Sequence, residues 1–309
     1  MGVFSDISDG WGLFTSSIRV LGKYPVLLLP LFFSWVLVAG LILYMRYYFV
    51  APNSFALVLV YVYGFLFSIT LIVSVANTMM LEVVQQIETG SKISLKKALE
   101  ETFGLDLIKV IPLAAVWALV WFIIVIIRVL TSKKRGGSKS EPSAKDAART
   151  LGGANSGPFS WLGLGLQMFE KLVRMTTFLA LPAIAWENLG PISAYKRAGE
   201  IIRKHPIQFL TAYSLTGVAA LFMIIPLYII FKLDDAGMNF STIFWVGVIV
   251  YEGLVWTLSN YLEQMTVGIL YLWHLKWMKN GGTGDLSDVP KPDLFDHYHE
   301  LAEYSKAVV

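Results

Sequence analysis

Long apolar runs separated by short polar stretches dominate the chain. A helix crosses about 30 Å of hydrocarbon with about 20 residues, each rising about 1.5 Å, and six segments meet that length: 25–44, 55–76, 107–130, 161–186, 207–231 and 242–270. Five are uninterrupted. The fourth contains Glu170, Lys171 and Arg174, and only 175–186 is cleanly apolar. It reads as a tilted span, with an interfacial helix feeding a short buried segment as the alternative.

Each odd-numbered span follows an amphipathic stretch that ends in a basic residue and a proline: SSIRVLGKYP at 16–25, SLKKALEETFGLDLIKVIP at 94–112 and AYKRAGEIIRKHP at 194–206. The even-numbered spans end alike, in ETG at 88–90, NLG at 188–190 and NGG at 280–282, where glycine suits a helix C-cap. Ile93, Ser94, Lys96, Lys97 and Ala98 are echoed by Ile192, Ser193, Lys196, Arg197 and Ala198. The pattern predicts three units of amphipathic helix, span, span. Because any helix at a membrane interface is basic and amphipathic, the echo is also what interfacial chemistry alone produces.

Composition narrows the class. Hydrophobic residues make up 56% and charged residues 15% of the chain, and mean hydropathy is +0.61; a soluble body of this size needs more polar surface. The absence of cysteine excludes a disulfide scaffold, a thiolate metal site and a cysteine nucleophile. A net charge of +3 from 25 basic and 22 acidic residues gives no nucleic-acid footprint. The N-terminal segment lacks the basic region and cleavage site of a signal peptide, so the first apolar run is expected to be an uncleaved span.

Charge asymmetry places both termini in the cytoplasm. That orientation leaves twelve Lys and Arg on the inner flanks, against Arg46 and Lys232 on the two short outer loops. The basic linker 131–160 opposes it; rich in Gly, Ser and Ala, this segment is expected to be disordered. The expected division is a first membrane half (1–130), this linker (131–160), a second membrane half (161–279) and an acidic soluble tail (280–309).

No nucleophile elbow, HExxH helix, Walker loop or dinucleotide fingerprint is present, and neither enzyme activity, cofactor nor metal is expected. His297 and His299 lie beside Asp296, Glu300 and Glu303 in the tail, where a solvated acidic helix is the simpler reading than a metal site. The last span is more informative: Ser259, Asn260, Glu263 and His274 fall within roughly 60° to 80° of the face of Glu252. A carboxylate at bilayer depth costs several kcal/mol unless neutral, paired or hydrated, so Glu252 is expected to face inward with Lys171 or Arg174 as its partner. The alternatives for this stripe are a proton or solute path and a buried ion pair that fixes helix register.

The stretch FLALPAIAWENLGPISAYKRAGEIIRK, 178–204, resembles the most recognisable block of an uncharacterised prokaryotic family of multipass membrane proteins, a domain of unknown function with an E-x-L-G-P-I-x-A-x-K-R turn. The matching positions are Pro182, Glu187, Leu189, Gly190, Pro191, Ile192, Ala194, Lys196, Arg197 and Ala198. The segments 8–32 and 75–102 are similar to the opening of that family and to its second span with the helix that follows. The resemblance implies a six-span helical fold and no established activity.

On the residues themselves, Gly190 is expected to close the fourth helix and Pro191 to start the next. Lys196, Arg197, Arg203 and Lys204 are expected to reach anionic lipid headgroups. The chain therefore reads as an all-α integral membrane bundle of about six spans with three interfacial helices in the cytoplasmic membrane. Two function classes fit it: a transporter for a small solute, using the polar face of the last span, and an accessory protein organising lipids or partner proteins, with a homo-oligomer as one form of partnership.

Overall fold

A computed structural model describes residues 3–133 and 161–292 apart from 51, 53 and 239. The linker from 134 onward and the histidine-bearing stretch of the tail, 293–309, lie outside the described residues. Within them the chain is helical and contains no strand. The helices are α1 (Val3–Lys23), α2 (Leu28–Tyr48), α3 (Phe55–Glu88), α4 (Leu95–Glu101), α5 (Leu107–Lys133), α6 (Trp161–Ala185), α7 (Pro191–Lys204), α8 (Pro206–Asp235) and α9 (Thr242–Lys279).

Among the described residues, five helical segments are long and apolar enough to cross a membrane: 25–45, 55–88, 95–130, 206–234 and 243–279. The protein is thus a helical membrane bundle. The expected fourth span, α6, forms a 25-residue helix but is not among the five, because Glu170, Lys171 and Arg174 interrupt its apolar run.

Prolines set two of the elbows. Pro25 opens the 3-10 turn between α1 and α2, and Pro206 occupies the first position of α8 after His205 departs from helical geometry (φ −127°, ψ 54°); a fixed φ and no N–H suit both positions. The middle elbow differs from expectation. Pro112 lies inside α5, and the chain bends instead in the π-helical turn Thr102–Asp106, at Gly104 (φ −79°, ψ −128°). Pro182 and Pro226 also sit within continuous helices.

The C-caps differ too. Gly90 takes the left-handed conformation (φ 67°) as expected, whereas after α6 it is Asn188 that does so (φ 54°). Gly190 is extended (φ −72°, ψ 163°) and is the N-cap of α7.

The units α1–α2–α3, α4–α5–α6 and α7–α8–α9 are arranged in a closed order. Their last helices, α3, α6 and α9, touch one another at the centre. Each amphipathic helix packs on the last helix of the preceding unit: α4 on α3, α7 on α6, and α1 on α9. Trp186, just beyond α6, ties the three centres together. Its Nε1 donates to Leu81 O at 3.1 Å and its ring meets Tyr271 edge-on at 5.9 Å, so α3, α6 and α9 end at the same side, here termed the elbow end.

At 34 and 38 residues, α3 and α9 run about 51 and 57 Å, well beyond a 30 Å hydrocarbon layer. Their first turns carry exposed apolar side chains, among them Phe55, Leu57, Ile243, Val246, Ile249 and Leu254; their later turns are enclosed. An apolar half open to lipid therefore continues into a packed elbow end. The first part of the expected soluble tail belongs to that end. Leu286 and Val289 are buried, Trp273 Nε1 donates to Val289 O at 2.9 Å, and Lys291 pairs with Asp9 at 2.8 Å.

Candidate functional site

Helix α7 presents two unlike faces. Ala194, Ala198 and Ile201, at i, i+4 and i+7, are buried against the bundle. Tyr195 belongs to the inner side as well; its hydroxyl lies 3.3 Å from Leu113 O and 3.2 Å from Thr177 Oγ1, and burial raises its pKa. The opposite stripe, at i, i+4, i+7 and i+11, holds Ile192, Lys196, Gly199 and Arg203, all exposed. Lys196, Gly199, Glu200, Arg203 and Lys204 line an open basin of about 330 Å³. With no side chain at Gly199, the floor lies open between Lys196 and Arg203.

Arg197 departs from the expected headgroup role. It turns inward, donating to Glu187 at 3.2 Å and to Glu200 at 3.2 Å, with Met278 Sδ at 3.3 Å. Glu187 also accepts from the Tyr271 hydroxyl. Burial disfavours the charged guanidinium, but Glu187, Tyr271 and Glu200 together outweigh it and hold Arg197 above its ordinary value. The E-x-L-G-P-I-x-A-x-K-R block is thus a turn clamped by its own first and last charges, because the turn carries Arg197 back over Glu187. Its Asn188 is held by Lys109, whose ammonium donates to the Asn188 backbone and side-chain oxygens.

A second open recess of about 290 Å³ shares Lys204 and adds His205, Gln208, Trp277 and the glycine turn at 282–284. Lys204 Nζ lies 5.4 Å from the Trp277 ring centre. Behind it, His205 Nε2 and His274 Nδ1 are 3.0 Å apart and buried. Among the described residues no third His, Cys, Asp or Glu joins them to form a metal site. Burial first, then the His274 ring and Lys204, lower the His205 pKa from 6.5 to about 4.

The expected stripe on the last helix is divided. Glu252 is exposed, flanked by the exposed Ile249, Val250 and Leu254, and is not the partner of Lys171 or Arg174. Those cations converge on Glu263, eleven residues further along α9 and about 20° around it. Arg174 donates to Glu263 at 2.8 Å and Lys171 Nζ lies 3.9 Å away. Lys171 also donates to Tyr213 O and, at 3.3 Å, to Thr216 Oγ1, joining α8 to the group. Glu252 loses the competition because its face of α9 is open at that level, while Val248, Gly253 and Val255 on the other side stay buried. Asn260 is buried and donates to Trp256 O at 2.9 Å. His274 lies in the elbow end with His205, away from the apolar half.

Several pairs escaped sequence reasoning. The His205–His274 contact joins residues 69 apart, and the approach of Glu101 to the buried Glu82 joins α3 to the helix after it. Only Glu187–Arg197 left a local signal, two opposite charges flanking a Gly-Pro turn. Compared with protein-family models and with curated proteins, the sequence matches none.

Proposed function

We propose that this polytopic membrane protein is a non-enzymatic accessory protein of the cytoplasmic membrane. Its elbow end faces the cytoplasm and holds phosphate headgroups of anionic lipids. One observation carries the reading: Lys196 and Arg203 make no hydrogen bond or ion pair among the described residues and flank the open floor at Gly199, while exposed Ile192 continues the same stripe. An apolar residue in line with unengaged cations suits a surface lying against lipid. The Lys171–Arg174–Glu263 cluster supports a static bundle, since it joins α6 to α9 by charge and to α8 by hydrogen bonds.

The test is lipid content after purification in mild detergent. Lys196→Gln with Arg203→Gln should lose co-purified anionic lipid, because each basic residue near an anionic surface contributes about 1 kcal/mol. Arg197→Gln should lose less lipid relative to the folded protein recovered. Unchanged lipid in the double variant overturns the reading. Orientation is tested separately in the cysteine-free chain: a membrane-impermeant maleimide should label Met238→Cys in intact spheroplasts and Thr283→Cys only after lysis.

A second reading, a transporter for a small solute, is favoured by Glu252, an exposed carboxylate on nearly the same face of α9 as Glu263. Solute-dependent flux in proteoliposomes, abolished by Glu252→Gln, distinguishes it from the first.

A further inference from the structure

The three central helices carry buried polar side chains as well as apolar ones. Ser74 and Asn77 on α3 and Gln264 on α9 are each 0% exposed. Ser74 Oγ, Asn77 Oδ1 and Gln264 Oε1 have no hydrogen-bond partner among the described residues. Leaving such groups unsatisfied forfeits their hydration without replacement, so buried polar atoms nearly always find a partner.

The amides cannot be reversed to escape that cost. Asn77 Nδ2 donates to Val73 O at 2.9 Å, and Gln264 Nε2 donates across to Phe178 O on α6 at 2.9 Å. Exchanging N and O at either residue would set oxygen against a carbonyl oxygen. Both unpartnered amide atoms are therefore oxygens, and both must accept.

Helix register brings these residues to neighbouring levels. At Gly268 a Cβ would lie 3.7 Å from Leu81 Cδ2, which fixes the level at which α3 and α9 approach. The helices run parallel, so four residues earlier on each stand Asn77 and Gln264, with Ser74 one turn before Asn77 on the same side. Phe178, whose carbonyl holds Gln264, completes the junction from α6.

We propose that Ser74, Asn77 and Gln264 bind one ordered water where the three units meet. Water donates two hydrogens, one to Asn77 Oδ1 and one to Gln264 Oε1, and accepts the Ser74 hydroxyl hydrogen. That set of three bonds is typical for a buried water. A monovalent cation also suits oxygen ligands, but Lys171 and Arg174 both converge on Glu263, the residue next to Gln264, and leave an excess of positive charge there. The water links α3 to α9, and through the Gln264 amide to α6.

Shape-matched variants test this by thermal unfolding in detergent. Asn77→Leu and Gln264→Met should each destabilise, and the double variant should be more stable than additivity predicts by about tenfold in the unfolding constant. Additive effects overturn the bridge. If a single variant fails to fold, high-resolution density of the unaltered protein decides: a peak within hydrogen-bond distance of Asn77 Oδ1 and Gln264 Oε1 supports the proposal, and direct contact between these atoms and other protein donors refutes it. Stability that rises with NaCl but not with choline chloride, and loses that dependence in Gln264→Met, assigns the site to a cation and overturns the water.

Discussion

The Glu187 carboxylate and the Arg197 guanidinium, ten residues apart in the chain, meet at 3.2 Å across the turn between α6 and α7. Removing one partner of an enclosed pair leaves the other unsatisfied, a loss of about 3–5 kcal/mol when burial is complete. Arg197 is partly exposed, so Arg197→Gln should lower stability by about 2 kcal/mol. Lys196→Gln, one residue away on the outer stripe, should stay within about 0.5 kcal/mol. Melting temperatures of the two variants in one detergent check the contrast; equal shifts would mean that the turn is not clamped by this pair.

Glu263 holds two cations from α6, and its side chain is 4% exposed. Glu263→Gln should cost about 3 kcal/mol because it leaves Arg174 facing a neutral amide. Adding Arg174→Gln in the same chain should recover part of the loss, as coupled neighbours do. Glu252→Gln should leave the stability within about 0.5 kcal/mol of the parent. A Glu252 effect as large as that of Glu263 would place Glu252 back inside the bundle.

Helices α2 and α9 approach at Gly253, where a Cβ would fall 2.8 Å from Trp35 Cδ2 and 2.9 Å from Cε2. Indole ring atoms cannot fold aside as a lysine tip can. Gly253→Ala should therefore destabilise by about 1–3 kcal/mol through overpacking. Gly40 sits in α2 with nothing within 4 Å of its Cβ position, and Gly40→Ala should be neutral or stabilising by up to about 1 kcal/mol from helix propensity alone. Thermal unfolding of both variants tests the assignment; a tolerated alanine at 253 would mean that the α2–α9 seam is loose.

Hydropathy and periodicity made the fold legible, because a helix in lipid must satisfy its backbone internally and advertises itself as an apolar run. The order of an amphipathic helix followed by two long helices was readable for the same reason, although α6, the second long helix of the middle unit, is not among the five apolar spans. Partner choice was not. Sequence periodicity placed Glu252, Glu263 and the α6 cations on compatible faces, but which carboxylate meets Arg174 depends on which side of α9 is covered at each level. The break in the middle elbow was also hidden, since Pro112 is the louder signal and Gly104, which makes the bend, carries no side chain. Four basic residues of α7 looked equivalent in the sequence, and only the return of the chain over Glu187 separates Arg197 from Lys196 and Arg203.

His205 joins α7 to α8, and its stability contribution should depend on pH. Its surroundings are His274 and Trp277 from α9 and Lys204 and Glu200 from α7, while Arg197 acts on His274 rather than on His205 itself. Burial first, then the His274 ring and Lys204, outweigh the single acid Glu200, and the folded pKa falls from 6.5 to about 4. Between those values the unfolded chain holds a proton on His205 that the folded protein rejects, so stability falls as pH is lowered through the window and levels off below about 4. The loss expected from this residue is on the order of 2 kcal/mol after allowance for solvent screening. Carboxylates titrate in the same range, so the readout is a difference: melting temperature against pH for the parent and for His205→Gln, whose amide can still hydrogen bond to His274. The parent should show the steeper decline between pH 6.5 and 4. Parallel curves would mean that His205 keeps its ordinary affinity for protons and that the elbow is open to water.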